Sequence, residues 1–255
     1  MNSIKKMMLS GALGCLISGM AYADGSSPQP VKPYWQDIQV VAVNKEKPRS
    51  SFMSYADRET ALTSRFEKSP YYSLLNGTWK FFFVDSYKDL PQNITDPSVN
   101  TSSWDDITVP GNWEVQGHGV AIYTNHGYEF KPRNPQPPLL PEANPVGVYR
   151  RDIEIPASWD NRDIYLHIGG AKSGLYVYLN GKEVGYSEDS KNPAEFLINK
   201  YLQPGKNVLT LKIFRWSTGS YLECQDFWRM SGIERDVFLW SQPKASIQDF
   251  RVVST

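Results

Sequence analysis

LYVYLNGKEVGY, Leu175 to Tyr186, decides the fold. Its first five residues are large or β-branched, and Lys182 to Tyr186 resume an alternating pattern after a two-residue break. The break is Asn180-Gly181, a pair that tolerates the positive φ angles of a tight hairpin turn. The stretch therefore predicts two antiparallel strands joined by two residues. Similar short runs lie on both sides: TWKFFFV, VYRRDIEI and DIYLHIG before it, NVLTLKIFRW and ERDVFLW after it. Several alternate with period two, as half-buried strands do. Pro204-Gly205 marks a further turn. No long helical pattern separates these runs; Ala56 to Phe66 has some helical character but few apolar positions. The expected fold is an all-β antiparallel sandwich.

The outer segments read differently. Lys5 and Lys6, an apolar run and Ala21-Tyr22-Ala23 form the three parts of a secretory leader, so residues 1–23 are expected to be removed after Ala23. Cys15 offers the rival reading of a lipid-attachment site, but Ala12 stands three residues before it where Leu is usual, and the apolar run continues past it. Cleavage leaves Cys224 alone, so no internal disulfide is expected and the location is extracellular or periplasmic. Residues 24–51 are polar and broken by prolines, an extended amino-terminal arm. Residues 52–242 hold the strand runs. Lys131 to Pro145 carries six prolines and cannot be a central strand. After Gln242-Pro243, residues 243–255 read as the first strand of a further domain.

Composition narrows the function. Lys+Arg and Asp+Glu both count 27, which argues against nucleic acid or a charged membrane surface as partner. The 8 Trp, 15 Tyr and 11 Phe suit either a large sheet core or a surface that stacks on sugar rings. His118, His126 and His167 show no metal-ligand spacing, and no nucleophile elbow or phosphate-binding glycine loop is present. GSYLECQDFWRMSG, Gly219 to Gly232, places Glu223 and Asp226 among aromatics. Glycoside hydrolysis needs two carboxyl groups flanking one bond, and three-residue spacing does not supply that by itself. Glu223 reads as local support and Asp226 as a group for a hydroxyl or a cation.

Several of these phrases carry a resemblance. RWSTGSYLECQDFWRMSGIERDV, PGNWEVQGHGVAIYTN, NPVGVYRRDI, NGKEVGYSEDSKNPAEF and LNGTWKF resemble the amino-terminal sugar-binding domain of bacterial glycoside hydrolase family 2 β-galactosidases, in the family's order, from about Pro33 onward. The resemblance implies a jelly-roll sandwich over residues 52–242 and the start of an immunoglobulin-like domain at 243–255. It also implies a catalytic barrel that this chain does not contain. No residue here is then catalytic. Asn125, in YTN, matches an asparagine that hydrogen-bonds the galactosyl ring, and Asp226, in CQDFW, matches an aspartate that contacts a galactose hydroxyl and ligates sodium. Magnesium is implied for full-length members, with its main ligands outside this chain. The implied partners are a terminal β-galactoside, the later domains and a second copy of the enzyme through residues 24–51. Thr218 and Cys224 depart from the family pattern, which often has acids there. Three functions stay open: the substrate-side domain of a secreted retaining β-galactosidase, a free-standing carbohydrate-binding module, and an assembly domain.

Overall fold

The computed structural model describes residues 32–130 and 133–255. The leader, Cys15, the cleavage position and residues 24–31 lie outside the described residues. Two antiparallel sheets face each other. The larger orders seven strands: Ala42–Val43, Lys182–Ser187, Gly174–Leu179, Lys206–Phe214, Val146–Glu154, Gly77–Val84 and Asp105–Val109. The smaller orders four: Ala194–Leu197, Arg162–Ile168, Val237–Pro243 and Tyr72–Leu74. This is the all-β sandwich expected, and its jelly-roll character shows in the non-sequential neighbours.

The hairpin forms as its sequence predicts. Asn180 and Gly181 have φ of 53° and 77°, the sign pattern of a type I′ turn. The Asn180 side chain accepts from the Val208 amide at 2.9 Å and donates to the Tyr201 carbonyl at 3.0 Å, so the turn is fastened to the next strand. A register shift at Val177/Tyr178 bends the pair, which is how a bulge re-aims a strand.

Alternation sorts the side chains onto faces. Leu175, Val177 and Leu179 point inward with Leu209, Leu211 and Ile213, and meet Leu166, Ile168, Phe196 and Leu239 of the smaller sheet in the main core. The outer faces are not left to water. Tyr176, Tyr186, Val146, Val148 and Phe214 form a second cluster under Trp35, Ile94 and Trp104. Tyr165, Phe238 and Trp240 form a third with Met53. Both faces of each sheet are therefore apolar, which is why the strand runs are so aromatic.

The arm is more than an extension. Trp35 is 1% exposed, and Ala42–Val43 pairs with Tyr186 and Ser187 as the outermost strand of the larger sheet. Glu46 donates its amide to the Glu195 carbonyl at 2.8 Å, so the next residues cross to the smaller sheet. Gly185 permits this contact: a Cβ there would stand 2.3 Å from the Val43 carbonyl oxygen and 2.7 Å from the Phe196 ring. Gly185→Ala is expected to lift the arm strand and to cost about 1–3 kcal/mol, the range for overpacking. Faster amide exchange at Val43, with the hairpin amides unchanged, checks this.

Two sequence expectations meet local limits. The helical character of Ala56 to Phe66 reduces to one turn and a half, Arg58–Leu62, capped by the Asp57 side chain. The strand expected within residues 243–255 is not formed: the smaller sheet's strand ends at Pro243, and Lys244 to Thr255 has no strand pairing. Ile247, Val252 and Val253 are exposed and pair with no strand among the described residues.

Candidate functional site

Asn125 and Asp226 lie 101 positions apart (226 − 125), yet the fold sets them side by side. Ile122–Thr124 and Phe227–Arg229 form a two-stranded antiparallel ribbon in which Thr124 faces Phe227, Tyr123 faces Trp228 and Ile122 faces Arg229. Asn125 follows the first strand and Asp226 precedes the second, so both stand at the same end of the ribbon. Both are exposed.

Each is oriented by a neighbour. The Tyr123 hydroxyl donates to Asp226 Oδ1 at 2.8 Å. The accepting carboxylate holds the Tyr123 phenol above its usual range. Asn125 Oδ1 lies 2.6 Å from His126 Nδ1. The Tyr123 and Trp228 rings, 56% and 54% exposed, stand 5.6 Å apart and tilted by 57°. Exposed rings of this size beside a carboxylate and an amide form a surface suited to a sugar, whose C–H face stacks and whose hydroxyls hydrogen-bond.

The ribbon rests on buried charge. Arg229 is 1% exposed and its guanidinium stands 4.7 Å from the Phe227 ring centre. It donates to the Thr124 carbonyl at 3.3 Å, and its Nε is 3.7 Å from Glu129 Oε2. Glu129 in turn accepts from Trp216 Nε1 at 3.0 Å. Lys172 is buried nearby, its ammonium 5.3 Å from the Phe227 ring centre, and burial pulls its pKa down. The Cys224 thiol contacts the Gly127 carbonyl and ties the two loops beyond the ribbon.

Glu223 has a different task from Asp226. Its carboxylate accepts from the Ser190 amide at 2.9 Å and the Ser190 hydroxyl at 2.6 Å. Burial pushes its carboxyl up, and the Ser190 bonds oppose that. Glu223 therefore fastens a loop, while Asp226 faces outward. Thr218, one of the departures from the family pattern, donates to Glu188, 3.0 Å from Oε2. Glu188 is 3% exposed and also accepts from Tyr186 and the Gly219 amide. The carboxylate behind this loop is thus supplied by the residue that follows the strand Lys182–Ser187.

His118 and His167 do not approach the ribbon's acids: the first packs on Phe81 and the second pairs with Glu195. Among the described residues no group of three or more His, Cys, Asp or Glu side chains is placed to hold a metal ion. Asp226 fits sodium as one hard oxygen ligand, since Tyr123 occupies only Oδ1, and further ligands have to come from elsewhere. Sequence reasoning named Asn125 and Asp226 but missed Tyr123, Trp228, Arg229 and Glu129. Those residues become neighbours only through a pairing that no local pattern announces.

Comparison with known proteins adds the family. Residues 72–243 match the family model described as glycosyl hydrolases family 2, sugar binding domain. The chain is 41% identical over 226 residues to a β-galactosidase of Priestia megaterium, covering 88% of this chain and 22% of that protein. It is 41% identical over 217 residues to a β-galactosidase of Actinobacillus pleuropneumoniae, covering 85% and 21%. The chain thus spans about a fifth of the length of these relatives. Among solved structures, a Bacteroides uniformis β-glucuronidase shares the fold with a TM-score of 0.51 and 23% identity, over 68% of this chain and 18% of that one. A Bifidobacterium dentium β-glucuronidase complexed with coumarin-3-O-glucuronide also reaches 0.51, at 19% identity, over 68% and 30%. On the match over residues 72–243, the chain belongs to glycosyl hydrolase family 2, whose sugar-binding domain those residues form.

Proposed function

We propose that this domain forms the galactose-facing, non-catalytic wall of an exported retaining β-galactosidase, with Asn125 and Asp226 contacting the galactosyl ring and Asp226 also holding sodium. The observation that carries the reading is the ribbon. It brings an amide and a carboxylate from distant segments to one exposed end, beside two exposed rings. The identity to β-galactosidases supports the choice of sugar.

The chemistry follows from charge and geometry. An ionised Asp only accepts hydrogen bonds, so it selects a hydroxyl donor. Tyr123 takes one lobe of the carboxylate and fixes the direction of the other. Asn125 can both donate and accept, and so reads a hydroxyl in either sense. Contacts that strengthen as the ring distorts toward the oxocarbenium-like state lower the barrier, although they lie away from the bond that breaks. Sodium, when bound, adds a positive charge that orients sugar oxygens. The two flanking carboxyl groups of a retaining site come, in this reading, from another part of the enzyme. No ligand in this chain is assigned to magnesium.

The test uses the parent enzyme. Asp226→Asn keeps the shape, removes the charge and turns one acceptor into a donor. Loss of a charge-assisted bond costs about 1.5–3 kcal/mol, roughly tenfold or more in rate. The expected result is a lower kcat/KM for a nitrophenyl β-galactoside and a weaker response to added sodium, with Glu223→Gln leaving the sodium response unchanged. An unchanged rate and sodium curve in Asp226→Asn would make the CQDFW acid structural. The 255-residue chain alone is expected to release no nitrophenol; turnover lost in both Glu223→Gln and Asp226→Asn would instead make these two acids the catalytic pair.

A further inference from the structure

A pocket lies away from the ribbon, where the arm crosses the outer face of the smaller sheet. Residues 45–53 roof it, and its volume is about 400 Å³, within the usual size of a small-molecule site. Its apolar lining comes from Phe52, Met53, Phe66 and Phe238. The His167 ring stacks on Phe238 with centres 4.1 Å apart and planes 14° apart. The charged side chains of the lining balance: Lys45, Lys47 and Arg49 against Glu46, Asp189 and Glu195. Asn192 and two serines add short polar groups. A lining with no net charge gives no preference to an anion or a cation.

His167 sets the polarity of what would fit. Glu195 accepts from His167 Nδ1 at 2.8 Å, from Trp240 Nε1 at 3.0 Å and from Arg49 through both carboxylate oxygens. A carboxylate with that many donors is an acceptor only, so His167 Nδ1 carries the proton of that bond. No described residue hydrogen-bonds to Nε2, which is left to a ligand. A ligand matched to this site carries no charge, offers a hydroxyl to Nε2 and has an apolar face for Phe52, Met53 and Phe66. A pyranose has all three properties.

We propose that this pocket is a second carbohydrate site, separate from the ribbon, which takes a neutral sugar with one hydroxyl hydrogen-bonded to His167 Nε2. The inference does not depend on the role given to Asp226, and the two fail separately. The experiment is titration of the isotope-labelled 255-residue chain with lactose, followed through the imidazole nitrogens. With only three histidines, each ring is a separate reporter: His167 for the pocket, His126 for the ribbon. The expected result is a saturable shift of the His167 nitrogens that Asp226→Asn leaves intact. His167→Phe keeps the ring stack but removes Nε2. Asn192→Leu removes a rim amide whose nitrogen is held by Asp189 and whose Oδ1 is open to a second hydroxyl, and it spares the Glu195 network. Each should weaken binding by about tenfold, the worth of one hydrogen bond to a polar ligand. No saturable shift at His167 would overturn the proposal. So would a response confined to His126 and abolished by Asp226→Asn, or unchanged affinity in folded Asn192→Leu protein.

Discussion

Glu195→Ala is expected to remove about 3–5 kcal/mol of stability, the cost of breaking a buried ion pair from one side. The reason is the number of groups that converge on this carboxylate. Arg49 reaches it with Nε and Nη2, each at 3.0 Å, and His167 and Trp240 add one donor each. The Arg49 and Glu195 side chains are only 12% and 11% exposed, so truncation leaves a guanidinium in a place water reaches poorly. An exposed pair would be worth about 0–1 kcal/mol, which is the contrast the measurement decides. Urea unfolding of both proteins at neutral pH reads the difference directly, and a loss under 1 kcal/mol would class the network with solvated surface pairs.

The same residue has a pH signature. Burial pushes the Glu195 carboxyl up, but the bonds from His167 and Arg49 outweigh it and hold the group below its ordinary range. A depressed folded-state pKa means that the stabilisation is fully present above the unfolded value, about 4.3, and is lost as pH falls through the folded value. The stability gap between native protein and Glu195→Ala should therefore be constant near neutrality and shrink in acid. A gap that widened in acid would contradict the sign.

Trp113→Ala is expected to cost about 3–5 kcal/mol, a large part of the roughly 5–15 kcal/mol that holds a typical domain together. Trp113 is 0% exposed, and its ring lies 6.0 Å from Phe81 and 5.7 Å from Phe83. Its indole N–H donates to the Tyr149 hydroxyl at 2.5 Å, so removal takes a hydrogen-bond partner from a fully buried phenol as well as opening a cavity. Relaxation into that space is limited, because Gly147 is already so close that a Cβ there would stand 2.6 Å from the Trp113 ring. The Trp113 amide donates to the Ser231 carbonyl, two residues beyond Arg229, so the ribbon's footing loosens too. Denaturant midpoints give the loss. Trp113→Phe, which keeps most of the ring volume, separates cavity from hydrogen bond by costing less.

Local features were the legible ones. The Asn180-Gly181 turn needs only its own two backbones, and the alternating runs report their burial in their own side chains. Sheet order was not legible, because the Lys206–Phe214 strand pairs on both sides with strands from other parts of the chain. The arm misled for a similar reason. Its prolines and charges outweigh Trp35 and Ala42-Val43 in any composition window, although those few residues are what dock. Asn125 and Asp226 were named through resemblance. Their meeting depends on pairing Tyr123 with Trp228, which neither strand encodes alone. Residues 244–255 pair with no strand among the described residues, and an apolar alternating run shows as a strand only where a ladder exists.

The arm's contacts also fix an order of assembly. Arg49 waits for Glu195, 146 residues later, and Asn44 waits for Val184, 140 residues later. A ribosome makes the arm before either partner exists, at roughly 5–20 residues per second, so it remains uncommitted for several seconds or more. Once made, the strand Lys182–Ser187 presents an unpaired edge until the arm docks, and such an edge is the template on which sheets of different molecules join. Contacts of such long sequence separation also close slowly. The part of the domain synthesised earliest is therefore the part that settles last, and the vulnerable time for aggregation ends when Ala42–Val43 seals that edge.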